Sequence, residues 1–258
     1  MINILKTQIY LYSMCNLRIK FKEKHMINPA IFRAYDIRGN SNNDLSPEIA
    51  YKIGFCFARI ILSSQKEAGS NFICVGRDGR LSSEELCNAL LQGIRATGAN
   101  VKYIGLVATP TLYFADKNFS APGSIMVTGS HNPKEDNGFK MVKSNAPFFG
   151  LMIQGLRKQI EEFNWPVLEI KDNYVQDCID LKEQYIDRIL LNRKISKNLK
   201  IAFDPANGAA GELVSILCRK LPCQTFINKE KIDGNFPGHD PDTTISRNIE
   251  RVNKYVVE

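Results

Sequence analysis

Gly123-Ser124-Ile125-Met126-Val127-Thr128 runs into Gly129-Ser130-His131-Asn132-Pro133 and then into Asp136-Asn137-Gly138-Phe139-Lys140. The first six residues form a short apolar run bounded by glycine and loop residues, the pattern of a buried strand. Asp136-Asn137-Gly138 is a turn signal ahead of a further strand, Phe139 to Lys143. Between the two strands Gly129 lets the chain turn sharply, and Pro133 biases Asn132 toward an extended backbone. Ser130 is therefore offered on a rigid, exposed loop.

Working outward, Ser46-Pro47-Glu48 opens a capped helix whose apolar stripe is Ile49, Ile53, Phe57 and Ile61. Phe72 to Gly76 and Val101 to Leu106 read as strands. Ser82 with Glu85 three residues later reads as a capping box for a helix to about Gly98. Downstream, a helix from Leu151 to Phe163 ends at Trp165-Pro166, and the polar segment Lys171 to Gln176 marks a boundary. A second unit follows: an amphipathic helix Cys178 to Leu191, a strand Leu199 to Asp204, and the tight turn Asn207-Gly208-Ala209-Ala210-Gly211. It continues with a helix Glu212 to Leu221, a strand Gln224 to Asn228, a Gly/Pro-rich loop Asp233 to Thr244 and a helix from near Ile245.

Strands alternating with helices predict an α/β fold: a helix-covered, three-layer mixed sheet followed by an incomplete second α/β domain. The expected division is residues 1–25 as an N-terminal extension, 26–170 as the first domain and 171–258 as a partial second. Two strands have little area to bury, and ending inside a helix suggests a chain cut short. Residues 1–25 are expected to be disordered or a start-site artefact, since Met26 directly precedes the first recognisable motif.

A chain of 258 residues, 44% hydrophobic, has room for two globular domains. Its seven scattered cysteines form no C-x-x-C pair, which favours reduced thiols and a cytoplasmic location. The net charge of +7 is partly terminal, because residues 1–25 hold Lys6, Arg18, Lys20, Lys22 and Lys24 against Glu23 alone. No basic stripe remains and nucleic acid is not an expected partner; anionic sugar phosphates would explain a basic cleft as well as a polynucleotide would, and a solvated surface is the plainer reading than either. No apolar run is long enough to cross a bilayer. Ile2 to Leu17 is interrupted by polar residues and lacks a preceding basic region, so no export signal is expected.

A hydroxyl placed like that of Ser130 can act as a nucleophile or carry a phosphate. A hydrolase elbow would need glycine two positions either side, where Thr128 and Asn132 stand instead. In an extended segment His131 would point opposite to Ser130 and so contact substrate or the loop rather than take its proton. A plain polar connection between strands is the alternative reading of this segment. Gly208 and Gly211 do not complete a dinucleotide-binding fingerprint.

The loop Thr128-Gly129-Ser130-His131-Asn132-Pro133 with Asp136-Asn137-Gly138-Phe139-Lys140 resembles the phosphoserine loop of the α-D-phosphohexomutases, nearest the phosphomannomutase/phosphoglucomutase branch. Three further segments agree in order: Ile31-Phe32-Arg33-Ala34-Tyr35-Asp36-Ile37-Arg38-Gly39, Val75-Gly76-Arg77-Asp78-Gly79-Arg80-Leu81-Ser82 and Asp233-Gly234-Asn235-Phe236-Pro237-Gly238-His239. The resemblance implies interconversion of hexose 1-phosphates and 6-phosphates, of mannose or glucose, through a phosphoserine and a hexose 1,6-bisphosphate. It assigns the phosphoryl group to Ser130 and the basic lining to Arg38, His131 and Lys140, with Lys140 as a candidate for proton transfer. Tyr35, Arg77, Asp78 and Asn132 are implied in supporting positions, the Gly76–Gly79 turn being one that internal ion pairing could pin.

The resemblance also implies magnesium, bound by the serine phosphate and three aspartates of a D-G-D-G-D loop, which this sequence does not contain. Asp240 and Asp242 read instead as turn residues capping the helix near Ile245. Two expectations follow: the chain is part of a working mutase, completed by further sequence or a separately encoded C-terminal half, or it is an inactive remnant.

Overall fold

The structure is a computed structural model describing residues 27–64, 71–166, 170 and 177–257. The first unit contains β1 (Ile37–Asn40), α1 (Pro47–Ser64), β2 (Phe72–Arg77), α2 (Ser83–Arg95), β3 (Asn100–Leu106) and α3 (Thr109–Phe119). It continues through β4 (Gly123–Val127), β5 (Asp136–Lys143), β6 (Ala146–Pro147) and α4 (Leu151–Glu162). The strands form one sheet in the order β1-β5-β4-β2-β3, with β6 paired to β5. β2, β3 and β4 are parallel and β5 runs antiparallel to both β4 and β1, so the sheet is mixed.

Both faces of the sheet are covered, which explains why β4 is buried at every position. Ile73, Val75, Ile125 and Val127 pack with α1, α2 and α4, while Cys74 and Met126 on alternate positions pack with Leu112 and Ala115 of α3. Two layers of helix on one sheet give the expected three-layer α/β fold. Phe57 and Phe139 are wholly buried in the larger core, each worth about 2–3 kcal/mol in apolar transfer. The second unit has α5 (Lys182–Leu190), β7 (Lys200–Phe203), α6 (Gly211–Lys220), β8 (Gln224–Ile227) and α7 (Ser246–Val257), with β7 and β8 parallel. Its core is small: Ile186, Leu213 and Ile216 are the buried members. No helix among the described residues is long and apolar enough to cross a membrane.

Several expectations need correction. Asp136-Asn137-Gly138 is not a turn but the start of β5, paired with Asn40, Gly39 and Arg38. Asn137 is fully buried, donating to the hydroxyls of Ser82 and Ser83 at 2.9 Å, and a Cβ at Gly138 would lie 2.2 Å from the Ile37 carbonyl. The glycine is there for strand proximity rather than turn geometry. The Ser82 capping box does not form; Ser82 sits in helical backbone with no side-chain cap, because its hydroxyl receives Asn137. Helix α3 is absent from the sequence reading: its buried stripe includes Thr111 and Asp116, which blurs the apolar period. Cys178 does not begin a helix but bridges to Tyr103 at the sheet edge, and α5 starts at Lys182. The expected extension 1–25 and the boundary segment 171–176 lie outside the described residues.

Helices α1 and α2 meet backbone to backbone at two glycines. A Cβ at Gly93 would lie 2.1 Å from the Tyr51 carbonyl oxygen, and one at Gly54 would lie 2.4 Å from that of Leu90. Gly93→Ala is expected to lower the unfolding free energy by about 1–3 kcal/mol through overpacking, despite a helix-propensity gain of about 1 kcal/mol. A urea midpoint equal to or above that of the parent chain would contradict this.

Candidate active site

The loop joining β4 to β5 carries Ser130, and a neighbouring loop after β2 fixes it. Asp78 follows β2 and is buried. One of its carboxylate oxygens accepts the Thr128 hydroxyl at 2.7 Å and the Gly129 N–H at 3.2 Å. The other accepts the Arg80 N–H at 3.0 Å and the Ser83 hydroxyl at 2.5 Å. Thr128 Oγ1 in turn accepts the Ser130 N–H at 2.9 Å. The ion pair within this turn joins Asp78 to Arg80 at 3.3 Å, whereas Arg77 donates to Tyr103, the Asp78 carbonyl and Glu84.

Arg80 is only 2% exposed. Its Nη1 donates to the carbonyls of Pro133 (2.5 Å) and Asp136 (3.1 Å), and its Nη2 to those of Ser130 and Asn132 (both 2.8 Å). One planar fork thus satisfies four carbonyls of the serine loop, which a flexible ammonium would not do. Burial draws the arginine's pKa down, opposed by the charge and hydrogen bond of Asp78. A Cβ at Gly129 would lie 2.5 Å from Arg80 Cζ, so that glycine permits close approach. The left-handed residue is Ser130 itself, at φ +57°, a conformation costing about 1–2 kcal/mol. That twist also removes the extended alternation expected for His131: its Nδ1 lies 3.4 Å from Ser130 Oγ, a long contact.

A second cluster centres on Asp36, just before β1. Its carboxylate meets Arg38 Nη2 at 2.8 Å and Lys140 Nζ at 2.9 Å, because β1 pairs with β5 and sets Ile37 opposite Phe139. Arg38 Nη1 also donates to Asn132 Oδ1 at 2.8 Å, and Asn132 Nδ2 to Asp136 at 3.0 Å. Burial pushes the Asp36 carboxyl up, but the hydrogen bonds and charges of Lys140 and Arg38 outweigh it and leave the pKa lowered. Arg38 Nε has no hydrogen-bond partner among the described residues. Tyr35 is 78% exposed and stacks on Phe149 with ring centroids 6.3 Å apart.

Arg38 and Lys140 thus share Asp36, Arg38 also reaches Asn132 in the loop bearing Ser130 and His131, and Asp78 binds the start of that loop. Arg77 and Tyr35 turn to other partners: Arg77 donates to Tyr103, the Asp78 carbonyl and Glu84, and Tyr35 stacks on Phe149. Sequence reading assigned no role to Arg80 or Asp36. Both lie inside segments quoted above, yet their partners are 50 or more residues away for Arg80 and 104 away for the Asp36–Lys140 pair, a separation with no local signature.

Among the described residues no group of three or more His, Cys, Asp or Glu could hold a metal ion. Asp242 accepts the Thr244 N–H and hydroxyl at 2.8 and 2.7 Å, and the Asp240 carbonyl accepts from His239 and Asn248, so this pair serves the turn before α7.

Comparison with known proteins points to one family. The model for phosphoglucomutase/phosphomannomutase alpha/beta/alpha domain I matches residues 29–165, and that for domain II matches residues 183–258. The chain belongs to the phosphoglucomutase/phosphomannomutase family. The phosphomannomutase/phosphoglucomutase of Pseudomonas syringae pv. tomato is 38% identical over 220 residues, covering 85% of this chain and 46% of that protein. The phosphoglucomutase of Neisseria meningitidis serogroup A is 36% identical, with the same two shares of 85% and 46%. A crystal structure of a phosphoglucomutase/phosphomannomutase family protein from Burkholderia thailandensis matches with a TM-score of 0.77 at 38% identity, over 88% of this chain and 50% of that one. The chain therefore spans about half the length of the curated relatives it matches.

Two outcomes follow from the geometry. Arg80→Lys keeps the charge but loses the fork, and is expected to cost about 3 kcal/mol in unfolding free energy, from several buried hydrogen bonds of about 1 kcal/mol each; an unchanged denaturant midpoint would refute the clamp. Asp36, with its lowered folded pKa, contributes stability that is present above the ordinary carboxylate value of 3.8 and lost as pH falls through the folded value. The stability gap between the parent chain and Asp36→Asn should accordingly be widest near neutral pH and close in acid. A gap independent of pH would contradict the ion-pair account.

Proposed function

We propose that this chain carries the phosphoserine side of a phosphohexomutase that interconverts hexose 1-phosphates and 6-phosphates, with mannose or glucose phosphate as substrate. The observation that carries the reading is the presentation of Ser130 in left-handed backbone, on a loop clamped by Arg80 and Asp78 and reached at Asn132 by Arg38, which shares Asp36 with Lys140.

In this reading a sugar hydroxyl oxygen bonds to the phosphorus as the Ser130 Oγ–P bond breaks, giving a hexose 1,6-bisphosphate and the free serine. The hydroxyl proton ends on Ser130 Oγ; Lys140 is the candidate for assisting that transfer, and His131 Nδ1 lies 3.4 Å from Ser130 Oγ. The bisphosphate reorients and the reverse step returns its other phosphate to Ser130. Charge on the phosphoryl oxygens in the loose transition state requires fixed cations. Arg38 supplies one, with an Nε donor not used by any described residue, and Lys140 supplies another, each held in place by Asp36.

Magnesium would take the phosphate of Ser130 as its ligand from this chain, the other ligands and the remaining sugar contacts coming from a C-terminal half. The domain assignment, 26–170 for the serine domain and 171–258 for part of the second, is supported by family matches over 29–165 and 183–258. A reducing, cytoplasmic setting is supported by the buried free thiols Cys56, Cys74 and Cys87, each pushed to about 12 by burial.

Intact mass before and after incubation with glucose 1,6-bisphosphate and magnesium tests the proposal. Gain of one phosphoryl group, absent in Ser130→Ala, is expected. No gain in the parent chain would leave a folded unit without phosphoryl chemistry of its own.

A further inference from the structure

The loop after β8 presses on the Asp78–Arg80 turn from the second unit. A Cβ at Gly79 would lie 2.4 Å from Ile232 Cγ2, and one at Gly234 would lie 2.7 Å from both the Gly79 carbonyl oxygen and the Leu81 nitrogen. The two loops are thus seated with no space for a side chain between them. Phe236 then lies over the Arg80 guanidinium, 5.3 Å from Cζ to ring centroid. Its backbone is left-handed, φ +50°, a conformation that an aromatic residue adopts only under constraint. The constraint is visible: the Phe236 N–H donates to the Asp233 carbonyl at 3.0 Å, and the Asp233 N–H donates to the Asn207 carbonyl at 2.9 Å. Asn207 itself donates to the Lys231 carbonyl at 2.7 Å. The ring is therefore anchored in the second unit while its contact is with the first.

We propose that Phe236 is a positioning residue for Ser130, acting through Arg80: it caps the guanidinium whose four hydrogen bonds shape the serine loop, so docking of the second unit sets the geometry of the phosphate-bearing residue. The terminal nitrogens of Arg80 are spent on carbonyls and its Nε lies 3.3 Å from the Asp78 carboxylate, which leaves the π-face as the surface an aromatic ring can engage without competing for them. The shape of the loop would then report whether the second unit is seated. As a statement about phosphoryl transfer, this inference rests on the reading of Ser130 given above; as a statement about loop geometry, it does not.

The test compares the full chain with Phe236→Leu and Phe236→Tyr. All three have a side chain bearing Cβ at the same left-handed position, so backbone strain is held comparable, while leucine keeps apolar bulk and tyrosine keeps the ring. Hydrogen exchange of residues 128–136 is measured alongside that of α1 and β2, and the rate of phosphoryl uptake from glucose 1,6-bisphosphate is followed by intact mass. Phe236→Leu is expected to speed exchange in 128–136 about tenfold, the scale of losing a desolvated cation–π contact, and to slow phosphoryl uptake, while Phe236→Tyr restores both. Unchanged loop exchange in Phe236→Leu would overturn the proposal, as would uniform acceleration through α1 and β2, or a tyrosine variant that behaves like leucine. If the parent chain takes up no phosphate, the functional reading fails and the exchange comparison still decides this inference.

Discussion

Four loop carbonyls converge on one buried guanidinium, and the candidate site depends on that convergence. A backbone carbonyl taken out of water without a partner costs free energy comparable to a lost hydrogen bond, and the strained left-handed serine adds to the cost. The loop between β4 and β5 could not hold its shape from local preference alone. Arg80 meets the carbonyls of Ser130, Asn132, Pro133 and Asp136 together, and Asp78 balances the charge while binding the start of the same loop. Lysine would bring the charge but not the planar set of donors.

Around this clamp the charges are arranged in a second tier. Asp36 holds Arg38 and Lys140 at under 3 Å each, so two cations are fixed with one carboxylate between them, and Arg38 reaches the loop at Asn132. Fixed cations stabilise an anion without reorganising when it forms. The β1–β5 pairing makes this possible, since it brings Lys140 beside a residue 104 positions earlier in the chain. The two tiers share Asn132, which gives its carbonyl to Arg80 and its side-chain oxygen to Arg38.

The second unit is more modest in itself. A parallel pair of strands and three packed helices bury few side chains completely, and one of its contacts with the first unit is made at glycines. Gly79 and Gly234 allow loop-to-loop contact that any side chain would block. Both sit in segments that family resemblance picks out, which gives a packing reason for glycine at those two positions.

Period and punctuation in the sequence were enough to determine the α/β class, the strands β2, β3, β4, β7 and β8, and helices α1, α2, α4 and α6 to within a few residues, because burial on a sheet or helix face imposes its own repeat. The serine loop was legible too, since its residues are consecutive. Local signals misled where a partner far along the chain overrode them: Asn137-Gly138 looks like a turn but is held in β5 by pairing with β1, and Ser82 looks like a cap but receives Asn137. The left-handed twist that brings His131 toward Ser130, the four-carbonyl clamp of Arg80, the tether of Asp36 and the ring of Phe236 were decided only by tertiary structure. Each depends on groups brought together across 50 residues or more, or on backbone strain that such contacts sustain, and no pattern of neighbouring residues encodes either.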